Sequence, residues 1–223
     1  MRTPPLVAVL DYGIGNLRSA QKALERCGAD ARLTRDAAMV ADADAVVLPG
    51  VGAFGACMDA PRDAGLEPVV HRAVASGRPF LGICVGMQML FSGSDEDMSA
   101  EGLGVIEGRI EWISADLPRP QMQWNRLDLV RRDPMFTGLG ERPWMYFVHS
   151  LHGVPRDPDV TVATCQYGTT VNAAFRSATV FATQFHPEKS GLAGLRLLHN
   201  FVDLAAQNSS IDGAAAPAGI ARS

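Results

Sequence analysis

A cysteine with a glycine two residues away on each side stands out within "RPFLGICVGMQMLF", residues 78–91. Gly82, Cys84 and Gly86 have the G-x-nucleophile-x-G spacing of the elbow that presents the reactive side chain in serine hydrolases. Such a turn needs small neighbours, because it forces the nucleophile into a strained backbone conformation. A helix beginning after Cys84 would direct its free N–H groups at the sulfur and place the N–H of Val85 to bind an oxyanion. The spacing alone leaves a nucleophile and a buried cysteine at a strand end as open alternatives.

A nucleophilic cysteine needs a base, and the sequence contains five histidines. His71 and His199 lie on predicted helices, on faces expected to be solvated or half exposed. His149 and His152 follow a β-rich run and could line a site or an interface. The fifth, His186, follows a predicted strand in "TQFHPEKSG", with Glu188 two residues further on. In extended backbone these two side chains point to the same side, so Glu188 can orient the imidazole and stabilise its charged form. We therefore favour a triad of Cys84, His186 and Glu188 over a surface loop with an unrelated histidine and glutamate.

Strands and helices alternate along the first 90 residues. The predicted strands are "LVAVLDY", "ARLT", Ala45–Leu48 (stopped by Pro49-Gly50) and "PFLGI", and the predicted helices are Asn16–Cys27 with Asn16 as N-cap, Glu67–Ser76 and one that starts with "GMQMLF". This alternation predicts an α/β fold with a mostly parallel central sheet and helices on both faces. Sites in such sheets lie beyond the carboxyl ends of the strands, which is where "DYGIGN", "PGVGAFG" and "CVG" fall.

The pattern changes between Gly102 and Arg176, where helical periodicity fades. Short β-rich runs predict antiparallel strands that extend or flank the sheet: "GRIEWI", "RLDLV", "WMYFVHS" and "VTVATCQ". A last strand in "ATVFATQ" and a helix over "GLAGLRLLHNFVDLAAQ" follow. We expect residues 1–207 to form one domain and residues 208–223, which are small and polar, to be a disordered tail.

Composition and charge narrow the class of protein. The net charge is −4 with no basic patch, which argues against nucleic-acid binding. Four irregularly spaced cysteines without a CxxC pair suggest neither a metal site nor a disulfide framework. The N-terminal apolar run is too short for a signal peptide, and no stretch is long enough to span a membrane. We expect a cytoplasmic protein without a metal or cofactor.

The motifs together resemble a known family. "LGICVGMQMLF" and "QFHPEKSG" are similar to the triad motifs of class I glutamine amidotransferases, and "PGVGAFGACM" is similar to that family's oxyanion strand. "DYGIGNLRS", "GLGVIEG", "MQWNRL" and "YFVHS" resemble more narrowly the glutaminase subunits of imidazole glycerol phosphate synthases. These matches extend from Asp11 to Gly191.

The resemblance implies that glutamine is hydrolysed to glutamate and ammonia through a glutamyl thioester on Cys84. It implies a second oxyanion donor, beside Val85, at Val51 in the Pro49–Gly52 loop, whose glycines permit a peptide flip. It further implies that the substrate's α-amino or carboxylate end is held by three residues: Gly50, Gly52 and Gln88.

The resemblance also implies a partner, a (β/α)₈-barrel cyclase subunit that receives the ammonia. The cyclase products would be imidazole glycerol phosphate and an aminoimidazole carboxamide ribonucleotide. The residues expected near the interface are Trp124, Asn125, Tyr146 and Lys189. Three positions depart from the family pattern and concern interface and gating rather than hydrolysis: Gln121, Gln123 and Leu151.

Two alternatives remain open from the sequence. One is another triad glutaminase, such as those of vitamin B6 or anthranilate synthesis, which "DYGIGNLRS" disfavours. The other is a non-catalytic partner-binding module with a decayed site, which the complete set of Cys84, His186 and Glu188 disfavours.

Overall fold

An eight-stranded sheet forms the centre of the structure, a computed structural model that describes residues 3–14 and 17–212. Its strands, in chain order, are β1 (Leu6–Leu10), β2 (Asp30–Thr34), β3 (Ala45–Gly50), β4 (Phe80–Cys84), β7 (Asp128–Leu129), β10 (Thr161–Tyr167), β11 (Thr169–Ser177) and β12 (Val180–Thr183). The spatial order is β2-β1-β3-β4-β12-β11-β10-β7. The first five of these pair in parallel and the last three add antiparallel pairings. The predicted α/β architecture with an antiparallel extension is therefore confirmed.

Helices cover both faces of the sheet. They are α1 (Leu17–Arg26), α2 (Ala37–Asp42), α3 (Phe54–Asp63), α4 (Glu67–Ala75), α5 (Val85–Met89) and α6 (Gly191–Asp212). The chain moves from β1 to β2 in one direction and from β2 to β3 in the other, so right-handed crossovers place α1 and α2 on opposite faces. In agreement, α1 packs against α6, and α2 packs against α4.

The central strands are continuous apolar runs because both of their faces are covered by helices. Each residue of β3, β4 and β12 is buried. β3 continues through Pro49 and Gly50, so the predicted stop after Leu48 is wrong. β3 pairs with β1 only as far as Val47, whereas its pairing with β4 runs on to Gly50, so the proline interrupts no ladder.

Two small antiparallel sheets flank the central one. β5 (Gly108–Trp112) pairs with β9 (Leu151–Pro155), and β6 (Gln121–Arg126) pairs with β8 (Trp144–His149). The sequence pattern did not predict β6, β9, β11, α2 or α3. β6 escapes the pattern because its polarity is inverted: Gln121 is fully buried, whereas Met122 and Trp124 are exposed. α2 has only six residues, and α3 contains Pro61.

Some predictions fall on residues outside the described ranges. Asn16, the predicted N-cap of α1, lies outside the described residues, as do residues 213–223. α6 continues to Asp212, five residues beyond the predicted helix end at Gln207, and the disorder predicted for the rest of the tail stays a prediction. Within the described ranges, no helix is long and apolar enough to cross a membrane.

A buried ion pair fastens the antiparallel extension. Arg176 of β11 donates two hydrogen bonds to Asp133, at 2.7 Å and 2.6 Å, and its guanidinium lies over the Phe181 ring. The Asp133 carboxylate also accepts from the N–H of Met135, capping a short 3₁₀ turn. Its side chain is only 5% exposed.

We expect Asp133→Ala to lower the free energy of unfolding by about 3 kcal/mol, because it leaves a largely buried guanidinium without its partner. Urea denaturation followed by circular dichroism measures the change. The control is Asp30→Ala, which breaks an exposed pair with Arg32 and should cost less than about 1 kcal/mol. Equal losses of unfolding free energy in the two variants would contradict the stabilising role given to the Asp133–Arg176 pair.

Candidate active site

Cys84 ends β4 and occupies a sharp turn into α5. Its φ of 55° and ψ of −115° fall where L-residues other than glycine are seldom found. A backbone strained in this way holds the side chain clear of the sheet, as the nucleophile elbow requires. The strand–turn–helix context predicted for the cysteine is therefore present.

The flanking glycines are needed for close backbone contact. A Cβ on Gly82 would lie 2.8 Å from a Leu90 methyl group, and one on Gly86 would lie 1.9 Å from the carbonyl oxygen of Leu48. Any side chain at Gly86 would therefore push the elbow off β3. The small residues predicted on both sides of Cys84 are therefore required for this steric reason.

His186 and Glu188 lie next to one another, beyond the end of β12. The Nδ1 of His186 is 2.8 Å from Oε1 of Glu188, and both side chains are buried, at 3% and 5% exposed. The main chain of His186 is fixed to β8: its N–H donates to Tyr146 O, and its carbonyl accepts from the Ser190 hydroxyl, which in turn accepts from the N–H of Tyr146. The imidazole is thus held both through its ring and through its backbone.

Burial and partners act in opposite directions on the pKa of His186. Burial lowers it, but interactions with Cys84 and with Glu188 outweigh burial and raise the pKa to about 9. A histidine with such a pKa is protonated at neutral pH. It can therefore stabilise a thiolate on Cys84 and supply a proton to a leaving group.

Cys84 and His186 line one cavity of about 300 Å³. Its other lining residues are Val51, Gly52, Val85, Gln88, Glu96, Pro120, Val148, His149, Ser150, Leu151 and Lys189. A larger cleft of about 620 Å³ lies between α1 and α6 and contains none of the predicted site residues. The chemistry of the lining, rather than cavity size, identifies the smaller cavity as the candidate active site.

The predicted oxyanion and substrate residues line this cavity, except Gly50, which lies behind it in β3. Val85 is the first residue of α5, and Gly50 lies opposite Cys84 in the pairing of β3 with β4. Gly52, with φ of +104°, needs the conformational freedom of glycine. α5 has only five residues before the chain turns to a β-bridge at Phe91, so its dipole is smaller than that of the longer helix expected from the sequence.

Two residues of the site, Gln184 and Glu96, were not predicted, and a third, His149, was predicted only as one that could line a site or an interface. Gln184 accepts from Nε2 of Gln88 at 3.2 Å, and its own Nε2 lies 3.9 Å from the Cys84 sulfur. Glu96 brings a carboxylate to the cavity and accepts from the N–H of Phe54 at 2.7 Å.

His149 is a neutral counterpart to His186. Burial lowers its pKa to about 4, against a weaker opposing effect of its hydrogen bond to Leu151 O. The second ring nitrogen, Nε2, is buried without a hydrogen-bond partner among the described residues. His149 therefore contributes a neutral imidazole to the cavity wall.

The residues predicted for a partner interface are only partly brought together. Trp124 and Tyr146 are directly opposite one another on β6 and β8, with ring centroids 6.0 Å apart. Asn125 points to the other side of β6, where its Nδ2 donates to Gln166 O. Lys189 is exposed and lines the cavity.

Trp124 and Tyr146 belong to a larger apolar surface. We call the outward side of the β6–β8 pair the aromatic face; it consists of Met122, Trp124, Arg126, Trp144, Tyr146 and Val148. Met122 is 64% exposed and the two tryptophans are almost half exposed. The Arg126 guanidinium lies 4.9 Å from the Trp144 ring centroid. Exposed apolar surface of this kind marks an interaction site.

Cys84, His186 and Val51 line one cavity, and comparison with known proteins defines the class of the chain. The family described as glutamine amidotransferase class-I matches residues 8–204. The chain belongs to the class I glutamine amidotransferase family. It is 48% identical over 206 residues to the imidazole glycerol phosphate synthase subunit HisH of Syntrophotalea carbinolica, which covers 89% of this chain and 100% of that protein.

Further comparisons agree. The chain is 49% identical to the protein of the same name from Synechococcus elongatus over 206 residues, 91% of this chain and 94% of that protein. A crystal structure of a glutamine amidotransferase superposes with a TM-score of 0.69 at 25% identity, covering 89% of this chain and 98% of the other. PurLQS from Thermotoga maritima has a TM-score of 0.71 at 22% identity, covering 90% and 98%, a likeness of fold alone.

We expect Cys84→Ala and Glu188→Gln each to lower the pKa of His186 from about 9, because each removes a group that favours the imidazolium. In the double variant burial alone remains, and the pKa should fall below 6.5. NMR titration of the imidazole C–H signals measures these values. A His186 pKa that is unchanged in both single variants would refute the interactions of His186 with Cys84 and Glu188.

We expect His149 to weaken the fold in mild acid. Its folded pKa of about 4 is below its ordinary 6.5, so the unfolded chain takes up a proton first as the pH falls. The contribution of neutral His149 to the free energy of unfolding is fully present above pH 6.5. It is lost as the pH falls towards 4, and the loss amounts to about 3 kcal/mol. Urea denaturation at several pH values should show a smaller acid loss in His149→Gln.

His71→Gln, a substitution on the exposed side of α4, is the matched control and should retain the parent's acid loss. An acid loss in His149→Gln as large as the parent's would contradict the prediction.

Proposed function

We propose that this chain is the glutaminase subunit of an imidazole glycerol phosphate synthase and hydrolyses glutamine to glutamate and ammonia. The observation that carries the proposal is the single cavity that joins Cys84 to the hydrogen-bonded pair of His186 and Glu188. The 48% identity to a protein named as this subunit supports the choice of synthase within the family.

The proposed reaction begins when the Cys84 thiolate attacks the side-chain amide carbon of glutamine. The carbonyl oxygen becomes an oxyanion, held by the N–H groups of Val85 and Val51. His186 donates its proton to the amide nitrogen, the C–N bond breaks, and ammonia leaves behind a glutamyl thioester. His186 then takes a proton from water, whose oxygen attacks the thioester. Collapse of that adduct expels the thiolate and yields glutamate.

Binding of the substrate's α-amino acid end is proposed for the polar lining away from the sulfur. Gln88, Gly50 and Gly52 keep the roles expected from the family resemblance. Glu96 adds a carboxylate on the same cavity wall, which suits the α-ammonium group of glutamine. A free amino acid carries that group, so the carboxylate favours free glutamine over a protein-bound glutamine side chain.

The ammonia is proposed to pass to a (β/α)₈-barrel cyclase subunit docked on the aromatic face. The face adjoins the cavity, because Val148 and Pro120, at the ends of β8 and β6, are among the lining residues. Direct transfer makes chemical sense, since ammonia released into neutral water is protonated and loses its nucleophilicity. Trp124, Tyr146 and Lys189 are the proposed first contacts, with Asn125 supporting β6 from behind. A cytoplasmic location belongs to the same proposal.

Glutamate release by the purified chain tests the function, measured with and without the cyclase and its substrate. Slow release that rises strongly with the liganded cyclase is expected, and Cys84→Ala should abolish it. Full activity in Cys84→Ala would remove the nucleophile assignment. Stimulation by a pyridoxal phosphate synthase barrel in place of the cyclase would favour a vitamin B6 glutaminase. No reaction with a glutamine-analogue electrophile would favour a non-catalytic module.

Substitution on the aromatic face should separate docking from chemistry. We expect Trp124→Lys to weaken cyclase binding by at least tenfold, because a charge is buried where an aromatic ring packs. Isothermal titration calorimetry measures the affinity. Val130→Lys is the control, since Val130 is also exposed but follows the edge strand β7. Equal affinities for the two variants would place the cyclase elsewhere.

A further inference from the structure

Two buried side chains hold the carbonyl groups on either side of the Gly50–Val51 peptide. The Tyr12 hydroxyl donates to the carbonyl oxygen of Pro49 at 2.5 Å. The Cys57 thiol donates to the carbonyl oxygen of Val51 at 3.3 Å. Tyr12 comes from the segment after β1, 37 residues before Pro49, whereas Cys57 lies in α3, six residues after Val51.

The space around this loop leaves little room for other movement. A Cβ on Gly50 would lie 2.5 Å from the amide nitrogen of Gly86 and 3.0 Å from the Tyr12 hydroxyl. The loop backbone is therefore enclosed between the elbow and the tyrosine. At its far end, the N–H of Phe54 is fixed by the carboxylate of Glu96.

The Gly50–Val51 peptide lies between the two held carbonyls and carries the N–H proposed as the second oxyanion donor. A peptide plane can turn between two fixed neighbours when ψ of the first residue and φ of the second change together. Glycine at position 50 permits that change at low cost. The arrangement confines reorientation of the loop to this one peptide.

We propose that Tyr12 and Cys57 are positioning residues for the oxyanion hole, which together set the direction of the Val51 N–H towards Cys84. We call the pair the carbonyl clamp. Neither side chain lines the catalytic cavity, so both act through the loop and not on the substrate. The inference rests on the proposed oxyanion role of Val51.

The clamp predicts a specific kinetic signature. An oxyanion donor acts on the transition state rather than on bound glutamine, so its misplacement lowers kcat and leaves KM nearly unchanged. Removing one such donor outright costs about 10²–10³ in kcat, and a displaced donor retains part of that effect. We therefore expect Tyr12→Phe and Cys57→Ala each to lower cyclase-stimulated kcat about tenfold, with KM within about twofold.

Rescue distinguishes positioning from packing. Cys57→Ser keeps a hydrogen-bond donor and should stay within about twofold of the parent in kcat. The matched controls are Tyr167→Phe, which removes a tyrosine-to-carbonyl hydrogen bond to Pro118, and Cys165→Ala, which truncates another fully buried cysteine. Both controls should keep the parent's kinetics.

A second measurement uses L-glutamate γ-semialdehyde, whose aldehyde carbon bonds to the Cys84 sulfur while its oxygen becomes the oxyanion or hydroxyl of a thiohemiacetal. Its dissociation constant should rise in Tyr12→Phe and Cys57→Ala by about the factor lost in kcat. Glutamine KM values stay the reference for ground-state binding.

Several results would overturn the clamp: kcat values of Tyr12→Phe and Cys57→Ala within twofold of the parent, a rise in KM alone, or a Cys57→Ser variant as impaired as Cys57→Ala. In each case a fully active parent leaves the proposed function intact. A parent without glutaminase activity would refute the proposed function itself.

Discussion

The contact between the Gly86 backbone and β3 is the constraint on which the site depends. A methyl group at Gly86 would lie 1.9 Å from the Leu48 carbonyl oxygen, so the start of α5 rests directly on the neighbouring strand. This approach brings Gly50 opposite Cys84 and places the Pro49–Gly52 loop beside the sulfur. The strained turn at Cys84 and the loop that faces it are thus two consequences of one steric fit.

The two histidines of the cavity show how one environment produces opposite chemistry. Both imidazoles are buried, and burial alone disfavours a charged ring. His186 has a thiol and a carboxylate as partners, and these hold its pKa at about 9. His149 has a carbonyl acceptor at one nitrogen and no anionic partner, so its pKa falls to about 4. The cavity therefore contains a protonated imidazole and a neutral one in the same lining.

The α/β fold and the grouping of Cys84 with His186 and Glu188 could be predicted because their signals are local, whereas the catalytic roles of these residues stay a prediction. The glycines around Cys84 and the i, i+2 spacing of His186 and Glu188 report backbone geometry directly. Glu96 could not be predicted, because tertiary packing alone brings it to the site. Gln184 and Cys57 lie within the quoted motifs, two residues before His186 and six after Val51, but the motifs do not show which groups these side chains contact. β6 was missed for another reason: a strand that buries Gln121 and exposes Met122 and Trp124 inverts the usual pattern. Exposed apolar residues of this kind resemble core residues in the sequence.

Tyr146 joins the aromatic face to His186 through its own main chain. Its side chain faces outward, while its carbonyl and N–H hold His186 directly and through Ser190. The outward side chains of β8 can therefore be exchanged in redesigning this surface for another partner, provided that the strand keeps its register. A one-residue slip or insertion in β8 would replace the peptide that anchors His186 and displace the imidazole without changing the side chains of Cys84, His186 or Glu188. The outer surface and the anchoring of His186 are thus separable by substitution in this strand, but not by changes in its length.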